Sequence, residues 1–483
     1  MRKGNLMRKN VFLDREEDLR ALDEIYERPG THLVVVYGRR RVGKTRLLLQ
    51  FAKDKPHVFY TAIKKAETQQ ALEFSEEMEK LVAHDTPIHH DNWRDAIGYM
   101  FESYVGRSDK VVVVIDEFPE VWRQNKSIPG EISARLERFA GKSNMMLVLC
   151  GSAVRQMEQL LGGREPLYLR QPLMLKIKPL DLTQASLFLK EWDFTRRVEG
   201  YAVMGGMPMY LSEAARHRNL RDFIAQKVVN PRGLFFGEGN TIVGQELGDV
   251  AMYFGLLEAI AGGAGKLAEI SSAVGKKAED LSVYLRKIEG IQLIKREVPA
   301  TEKNPVKSKK GRYVITDNFI RFWFRFVHPY AGLIDAGQQG LVMKRVEAGL
   351  SAFLGRPTEE VVRQAVLAMS ARGNLPITVT RLGRYWDKNR EIDICGAGEK
   401  KREYLWGECK WQNSMMGAGV YHLLKEKVDA SGVNPGGKNF YLLCSKSGFT
   451  SKLKSLAAKE EIILWDAGAP RRTHRVRLGR AAF

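Results

Sequence analysis

Leu33-Val34-Val35-Val36-Tyr37-Gly38-Arg39-Arg40-Arg41-Val42-Gly43-Lys44-Thr45 is the stretch that decides the fold of this 483-residue chain. The apolar run Leu33 to Tyr37 reads as a strand buried on both faces, as strands of a parallel sheet are. Arg46 to Lys53 then switches to helical spacing, so the glycine loop joins a strand to a helix. In that setting Gly38 and Gly43 let backbone N–H groups converge on phosphates at a helix N-terminus. Lys44 is placed to reach the outer phosphates and Thr45 to ligate magnesium. Arg39, Arg40, Arg41, Val42 and Arg46 complete the candidate nucleotide contacts, and the expected cofactors are ATP and Mg2+.

A second apolar run, Val111 to Ile115, ends in Asp116-Glu117. Ligands of open α/β sheets bind outside the C-terminal ends of the strands, which sets both carboxylates beside the phosphate loop. Asp116 is expected to hold the magnesium ion, and Glu117 to orient and activate the attacking water. A third run, Met146 to Cys150, leads into Gly151-Ser152, where a hydroxyl can sense the outer phosphate. Arg164 and Arg170 follow, each able to carry a guanidinium toward transition-state charge in its own subunit or in a neighbour, so a homo-oligomer is one expected state.

Composition sets the wider bounds. With 44% apolar residues and this length the chain can fill more than one core, and three domains are expected: 1–228, 229–330 and 331–483. An excess of 77 Lys and Arg over 57 Asp and Glu gives a net charge of +20, which draws a protein toward polyanions such as nucleic acid. No apolar run approaches the roughly 18 residues of a membrane span, and the basic Met1 to Asn10 lacks the apolar stretch of a signal peptide, so a cytoplasmic protein without a membrane partner is expected. Cys150, Cys395, Cys409 and Cys444 have no metal-site spacing and are expected to be reduced and buried in strands.

Several of these motifs, taken in order, resemble the archaeal-type ATPases, a branch of the P-loop ATPases close to the AAA+ and STAND classes. The resemblance runs through Phe12-Leu13-Asp14-Arg15-Glu16-Glu17-Asp18-Leu19, the loop Gly38 to Thr45, Ile115 to Phe118, Gly151-Ser152, Pro166-Leu167-Tyr168 with Arg170, and Gly205-Gly206-Met207-Pro208-Met209-Tyr210-Leu211. It covers residues 10 to 220 and implies a glutamate, here Glu117, beside the magnesium-binding aspartate. Where relatives often place Gly-Arg this chain has Leu169-Arg170, which makes Arg170 the preferred match for the family arginine, with Arg164 after Gly163 as the alternative.

Downstream, Leu247 to Ile260, Leu267 to Val274 and Ala278 to Ile288 have helical periodicity, and Leu293 to Val298 with Arg312 to Ile315 read as the strands of a wing. The pattern is that of a winged helix-turn-helix. Lys276, Lys277, Arg286 and Lys287 on the second helix and Lys303, Lys307, Lys309, Lys310 and Arg312 on the wing are candidate phosphate contacts, and DNA is the expected partner. The aromatic segment Ile315 to Tyr330 reads as core. It also matches the archaeal-type ATPases, whose members carry it ahead of a C-terminal domain of unknown function.

In the last third, an amphipathic helix from Pro357 to Ser370 begins with Glu359 and Glu360, and strands follow at Ile377 to Arg381, Glu391 to Cys395 and Tyr404 to Trp411. Alternation along a strand sets Glu408 and Lys410 on one face, with Asp393 on the neighbouring strand. Carboxylates and a lysine so placed can bind Mg2+ or Mn2+ and activate water against a phosphodiester. The arrangement resembles the PD-(D/E)XK nuclease superfamily. That resemblance implies Glu359 or Glu360 on the first helix, Asp393 as the aspartate, Glu408-Cys409-Lys410 as the E-x-K element, Gln412 as a polar helper, and a restriction-endonuclease-like α/β domain from about 355 to 466. A basic tail with Arg471, Arg472, Arg475, Arg477 and Arg480 ends the sequence.

The fold class expected is therefore α/β: a P-loop NTPase parallel sheet with a helical lid, a winged helix-turn-helix and a nuclease-like domain. Two functions compete. One is an ATPase that couples turnover to DNA binding or metal-dependent cleavage, and the other is a nucleotide-gated switch or protein-remodelling ATPase whose C-terminal fold only binds. They part at Asp393, Glu408 and Lys410.

Overall fold

The computed structural model describes residues 15–82, 89–163, 165–247 and 250–466. Phe12 to Asp14, Arg164 and the arginines of the tail lie outside the described residues. The chain divides into two compact units, one running to Pro179 with Met207–Met209 added, the other made of Leu180–Gly206 and the chain from Tyr210 onward.

The first unit is built on the strands β1 (His32–Tyr37), β2 (His57–Thr61), β3 (Val111–Asp116), β4 (Met145–Gly151) and β5 (Leu173–Lys176). All pair in parallel, in the order β2-β3-β4-β1-β5. Every residue of β3 and β4 is buried, as expected of central strands covered by helices on both faces. On one face Tyr60 packs edge to face on Phe74 and Trp93, which lie tilted against each other, and the Trp93 indole donates to Gln70 Oε1 at 3.2 Å. The register aligns Tyr37 with Gly151, Ile115 with Leu149 and Thr61 with Asp116. The turns after β1, β3 and β4 consequently leave the sheet along one edge.

The second unit opens with helices, among them Val250–Ala261, Leu267–Val274 and Ala278–Gly290, and continues into an antiparallel pair, β6 (Ile294–Glu297) and β7 (Arg312–Ile315). Gly275 ends the Leu267–Val274 helix at φ 66°, a left-handed cap that glycine adopts without Cβ strain. Helix Asn318–Phe326, capped by the Asp317 carboxylate accepting from Ile320 N at 3.0 Å, buries Phe319, Phe322, Trp323, Phe324 and Phe326. The aromatic segment is core.

A 33-residue helix, Gln339–Ala371, follows. It starts well before Pro357, where sequence periodicity begins it. Val342, Met343, Val346 and Leu354 are buried on the N-terminal half, and Phe353 packs on Phe322 and Phe326, so burial carries the helix through the proline. Proline removes one N–H from the ladder, and the Thr358 hydroxyl bonds the Leu354 and Gly355 carbonyls beside the break.

The long helix leads into a mixed sheet of β8 (Val379–Trp386), β9 (Glu391–Gly398), β10 (Glu403–Lys410), β11 (Lys438–Ser445) and β12 (Ile463–Asp466), in the order β12-β11-β10-β9-β8. β8, β9 and β10 form an antiparallel meander, while β11 and β12 continue in parallel. All four cysteines are free and buried, each in a strand. No described helix is long and apolar enough to cross a membrane.

Candidate functional site

The first candidate site forms where β1, β3 and β4 end. A Cβ at Gly38 would collide with the backbone carbonyl of Ile177, so the close approach of that chain requires glycine. Gly43, at φ 98°, starts helix Lys44–Ala52, and Arg41 also takes a left-handed conformation at φ 66°. Val42 is fully buried and anchors the loop. Lys44 is only 5% exposed, and its ammonium donates to the carbonyls of Gly38 at 2.8 Å and Arg39 at 3.1 Å. An ammonium has three hydrogens, so one remains for a phosphate oxygen. Arg40 and Arg46 are exposed and Arg39 is partly exposed.

Thr45 Oγ1 donates to Asp116 Oδ2 at 2.7 Å, joining the loop to the end of β3. The other oxygen of Asp116 accepts from Glu117 N at 3.0 Å. Glu117 sits at φ 53°, ψ 40°, a left-handed conformation that costs a non-glycine residue about 1–3 kcal/mol and concentrates at working sites. Its carboxylate is held by Ser152, whose N–H and hydroxyl donate to Glu117 Oε2 at 3.2 and 2.8 Å. Thr45, Asp116, Glu117 and Ser152 thus form one connected cluster beside Lys44, which follows the same loop. A buried carboxylate joined to a hydroxyl is an all-oxygen pair that suits magnesium, which keeps most of its waters and takes one or two protein ligands.

Two placements were not legible beforehand. Cys150 lies under the cluster, and burial, then the Asp116 charge, pushes its thiol well above the ordinary range. Arg170 is joined to helix Ile128–Arg138, donating to Ser133 Oγ at 2.9 Å and Glu137 Oε2 at 2.7 Å, and none of these partners belongs to the phosphate loop.

Because Ser152 bonds Glu117, the residue expected to orient the attacking water, Ser152→Ala is expected to lower ATP turnover about tenfold, the equivalent of roughly 1.5 kcal/mol for one hydrogen bond to a charged group. Nucleotide affinity should hold. Steady-state phosphate release and nucleotide titration check this, and an unchanged turnover number would remove Ser152 from the site.

The second candidate site lies on β9, β10 and the long helix. Glu408, 6% exposed, accepts from Lys410 Nζ at 2.7 Å on the same strand face, and Lys427 Nζ lies 3.7 Å from its other oxygen. Asp393 Oδ2 accepts from Cys409 N at 3.0 Å. Burial, then the Glu408 charge, raises Asp393 above the ordinary aspartate value. Glu359 faces Arg384 Nε at 3.3 Å and Arg363 Nη1 at 3.7 Å, and it is pushed up to about 7 by burial and by Asp393. Glu360 is the opposite case. Burial works against its charge, but Arg363, bonded at 2.7 and 3.2 Å, outweighs it and lowers the pKa. Of the two glutamates, Glu359 is the one whose charge is opposed by Asp393.

Arg363 and Arg384 complete this site and were not singled out in the sequence. Arg363 had a readable signal, standing four residues after Glu359 and three after Glu360 on a helix. Arg384 had none, because β8 brings it in from across the sheet.

Glu359 Oε2 and Glu408 Oε2 are buried without a hydrogen-bond partner, and each instead faces a protein cation, Arg384 Nε at 3.3 Å and Lys427 Nζ at 3.7 Å. Among the described residues no three Asp, Glu, His or Cys side chains are grouped as a metal cage.

Glu359 also sets a pH effect. Its folded-state pKa is raised from the ordinary 4.5 to about 7, so between those values the folded protein holds this proton more tightly than the unfolded chain. Its contribution to stability therefore falls as pH rises through that window. Glu359→Gln, neutral throughout, is expected to gain melting temperature relative to the parent at pH 8 but not at pH 4.5. Thermal unfolding at the two pH values checks this, and equal shifts at both would refute the assignment.

Residues 12–214 match the family model of an ATPase domain predominantly from Archaea, and residues 323–427 match that of archaeal and bacterial proteins of unknown function. An uncharacterized protein of Methanocaldococcus jannaschii is 29% identical over 404 residues, covering 83% of this chain and 88% of that protein. An uncharacterized ATP-binding protein of the same archaeon is 40% identical over 45 residues, 9% of this chain and 76% of that one. Among solved structures, the Walker-type ATPase of Pyrococcus abyssi aligns with 66% of this chain and 97% of its own, at 18% identity and a TM-score of 0.48.

Proposed function

We propose that the N-terminal part of the chain, which matches the model of an ATPase domain predominantly from Archaea, hydrolyses ATP with magnesium, and that this turnover is coupled to DNA binding or to metal-dependent DNA cleavage at the Glu359, Asp393, Glu408 and Lys410 site. The observation that carries the hydrolytic half is the run of bonds from Thr45 through Asp116 and Glu117 to Ser152. Lys44 binds the outer phosphates, Thr45 and Asp116 hold the metal, and Glu117, oriented by Ser152, takes the proton of the attacking water. The magnesium ion supplies charge neutralisation on the phosphates when bound. The domain scheme 1–228, 229–330 and 331–483 remains part of this reading.

The cleavage half rests on the pairing of Glu408 with Lys410, on Asp393 bonded to the Cys409 N–H between them, and on the order helix, meander, helix, parallel strand, which is the order the nuclease resemblance implies. Asp393 and Glu408 would hold the metal, and Lys410 would meet the charge of the cleaved phosphodiester. The second reading, a nucleotide-gated switch with a C-terminal unit that only binds, is favoured by the lack of a three-ligand metal cage among the described residues.

The test is to incubate the purified protein with plasmid and single-stranded DNA in Mg2+ or Mn2+, with and without ATP, while following phosphate release. ATP hydrolysis with DNA cleavage is the expected result. Hydrolysis without cleavage in any condition selects the switch, and no hydrolysis refutes the reading at its root.

A further inference from the structure

The segment between β6 and β7 does not stand free as a wing. Ala300 N donates to Arg384 O at 2.8 Å, Arg381 Nη1 to Glu302 O at 3.1 Å, and the Trp386 indole to Lys310 O at 3.1 Å. Arg312 adds an ion pair to Glu391 at 3.2 Å and stacks on the Trp386 ring at 4.8 Å. β8 is the edge strand of its sheet, so the segment covers an edge that would otherwise present unpaired backbone groups. From inside, Arg296 bonds the carbonyls of Pro305 at 3.1 Å and of Ser308, which fixes the shape of the loop.

This docking gathers charge. Lys303, Lys307 and Lys309 on the loop are exposed, as are Arg381 on β8 and Lys388 in the turn that follows it. None of these five has a carboxylate partner among the described residues. The neighbouring acids are already committed, Glu302 to Lys310 at 2.8 Å and Asp387 to Arg390 at 3.0 Å. At the tip, beside Pro305, Val306 is 88% exposed. An apolar tip between lysines suits a duplex groove, where such residues wedge against base steps while cations meet the phosphates on either side.

The helix expected to read DNA is less suited. Ala278–Gly290 carries the exposed acids Glu279 and Asp280 in its first turn, the end that enters a major groove in helix-turn-helix proteins. Both repel phosphates.

We propose that the β6–β7 loop and the β8 edge together form one platform for duplex DNA, and that this platform, not helix Ala278–Gly290, carries the electrostatic share of binding. The proposal rests on the DNA-associated reading above. It does not require the carboxylate site to be catalytic.

Binding of a fluorescein-labelled duplex to the full-length protein, followed by anisotropy in EDTA over a range of salt, tests it without interference from cleavage. The triple variant Lys303→Glu, Lys307→Glu, Lys309→Glu is expected to flatten the plot of log affinity against log salt by about three and to weaken binding roughly 10²-fold near 0.1 M salt. The pair Arg286→Glu, Lys287→Glu should change both far less. All five substituted residues are exposed, so unfolding temperatures are expected to match the parent and serve as the folding control. An unchanged slope in the triple variant, or an equal or larger loss in the helix pair, overturns the platform while leaving the DNA-associated reading in place. A parent protein that binds no duplex, or binds anionic vesicles in its stead, overturns both.

Discussion

Glu117→Gln is expected to leave ATP bound and to cut its turnover by about 10²–10⁴-fold, the range a positioned general base supplies. The amide keeps the shape of the side chain and one oxygen to accept from the Ser152 hydroxyl, now at 2.8 Å, so the local structure should survive. It loses only the capacity to take a proton. Asp116 and Thr45, which would hold the metal, and Lys44, which would hold the phosphates, are untouched, and nucleotide affinity should change little. Lys44→Ala differs in kind: it removes the ammonium anchored to Gly38 and Arg39 and should lower binding and turnover together. Equilibrium titration beside steady-state phosphate release separates the two. A Glu117→Gln protein that hydrolyses ATP at the parent rate would assign the base elsewhere.

Asp393→Asn is expected to reduce plasmid cleavage by about 10²-fold or more, because a bound metal would contribute several kcal/mol of charge stabilisation and in the proposed reading this residue would supply one of its ligands. Asparagine keeps an oxygen for the Cys409 N–H, now bonded at 3.0 Å, so β9 and β10 should stay in register. Removing the charge also relieves repulsion with Glu408, the largest electrostatic cause of the raised Asp393 value after burial. The variant should therefore melt no lower than the parent. ATP turnover measured in the same samples is expected to be unchanged, which distinguishes loss of a metal ligand from loss of fold. Cleavage equal to the parent would refute the metal role of Asp393 and leave the C-terminal unit a binding module.

The two sites were legible to different depths. For the nucleotide site, strands buried on both faces spell uninterrupted apolar runs, and Gly38, Lys44, Asp116, Glu117 and Ser152 stand where those runs stop. For the carboxylate site, alternation was enough to set Glu408 and Lys410 on one face. It could not choose between Glu359 and Glu360, adjacent on a helix and about 100° apart around it. Arg363 makes that choice by pairing with Glu360, leaving Glu359 turned toward Arg384 and the strands. Likewise, periodicity starts a helix at Pro357, because a proline is a good first residue and a poor interior one. Packing of Phe353 on Phe322 and Phe326 was invisible to that argument.

The phosphate loop, the acids and serine at the strand ends and the E-x-K strand were determined by the sequence alone, since each follows from local periodicity and from the chemistry of a few adjacent residues. Only the tertiary structure decided that Ser152 holds Glu117, that Arg170 rests on Ser133 and Glu137, that Arg384 faces Glu359, and that the β6–β7 loop is fastened to β8. Each of those joins elements far apart in the chain, with at least 25 residues between the partners except where Glu359 meets Arg384. No local spacing encodes them, and they form only when the strands and helices pack.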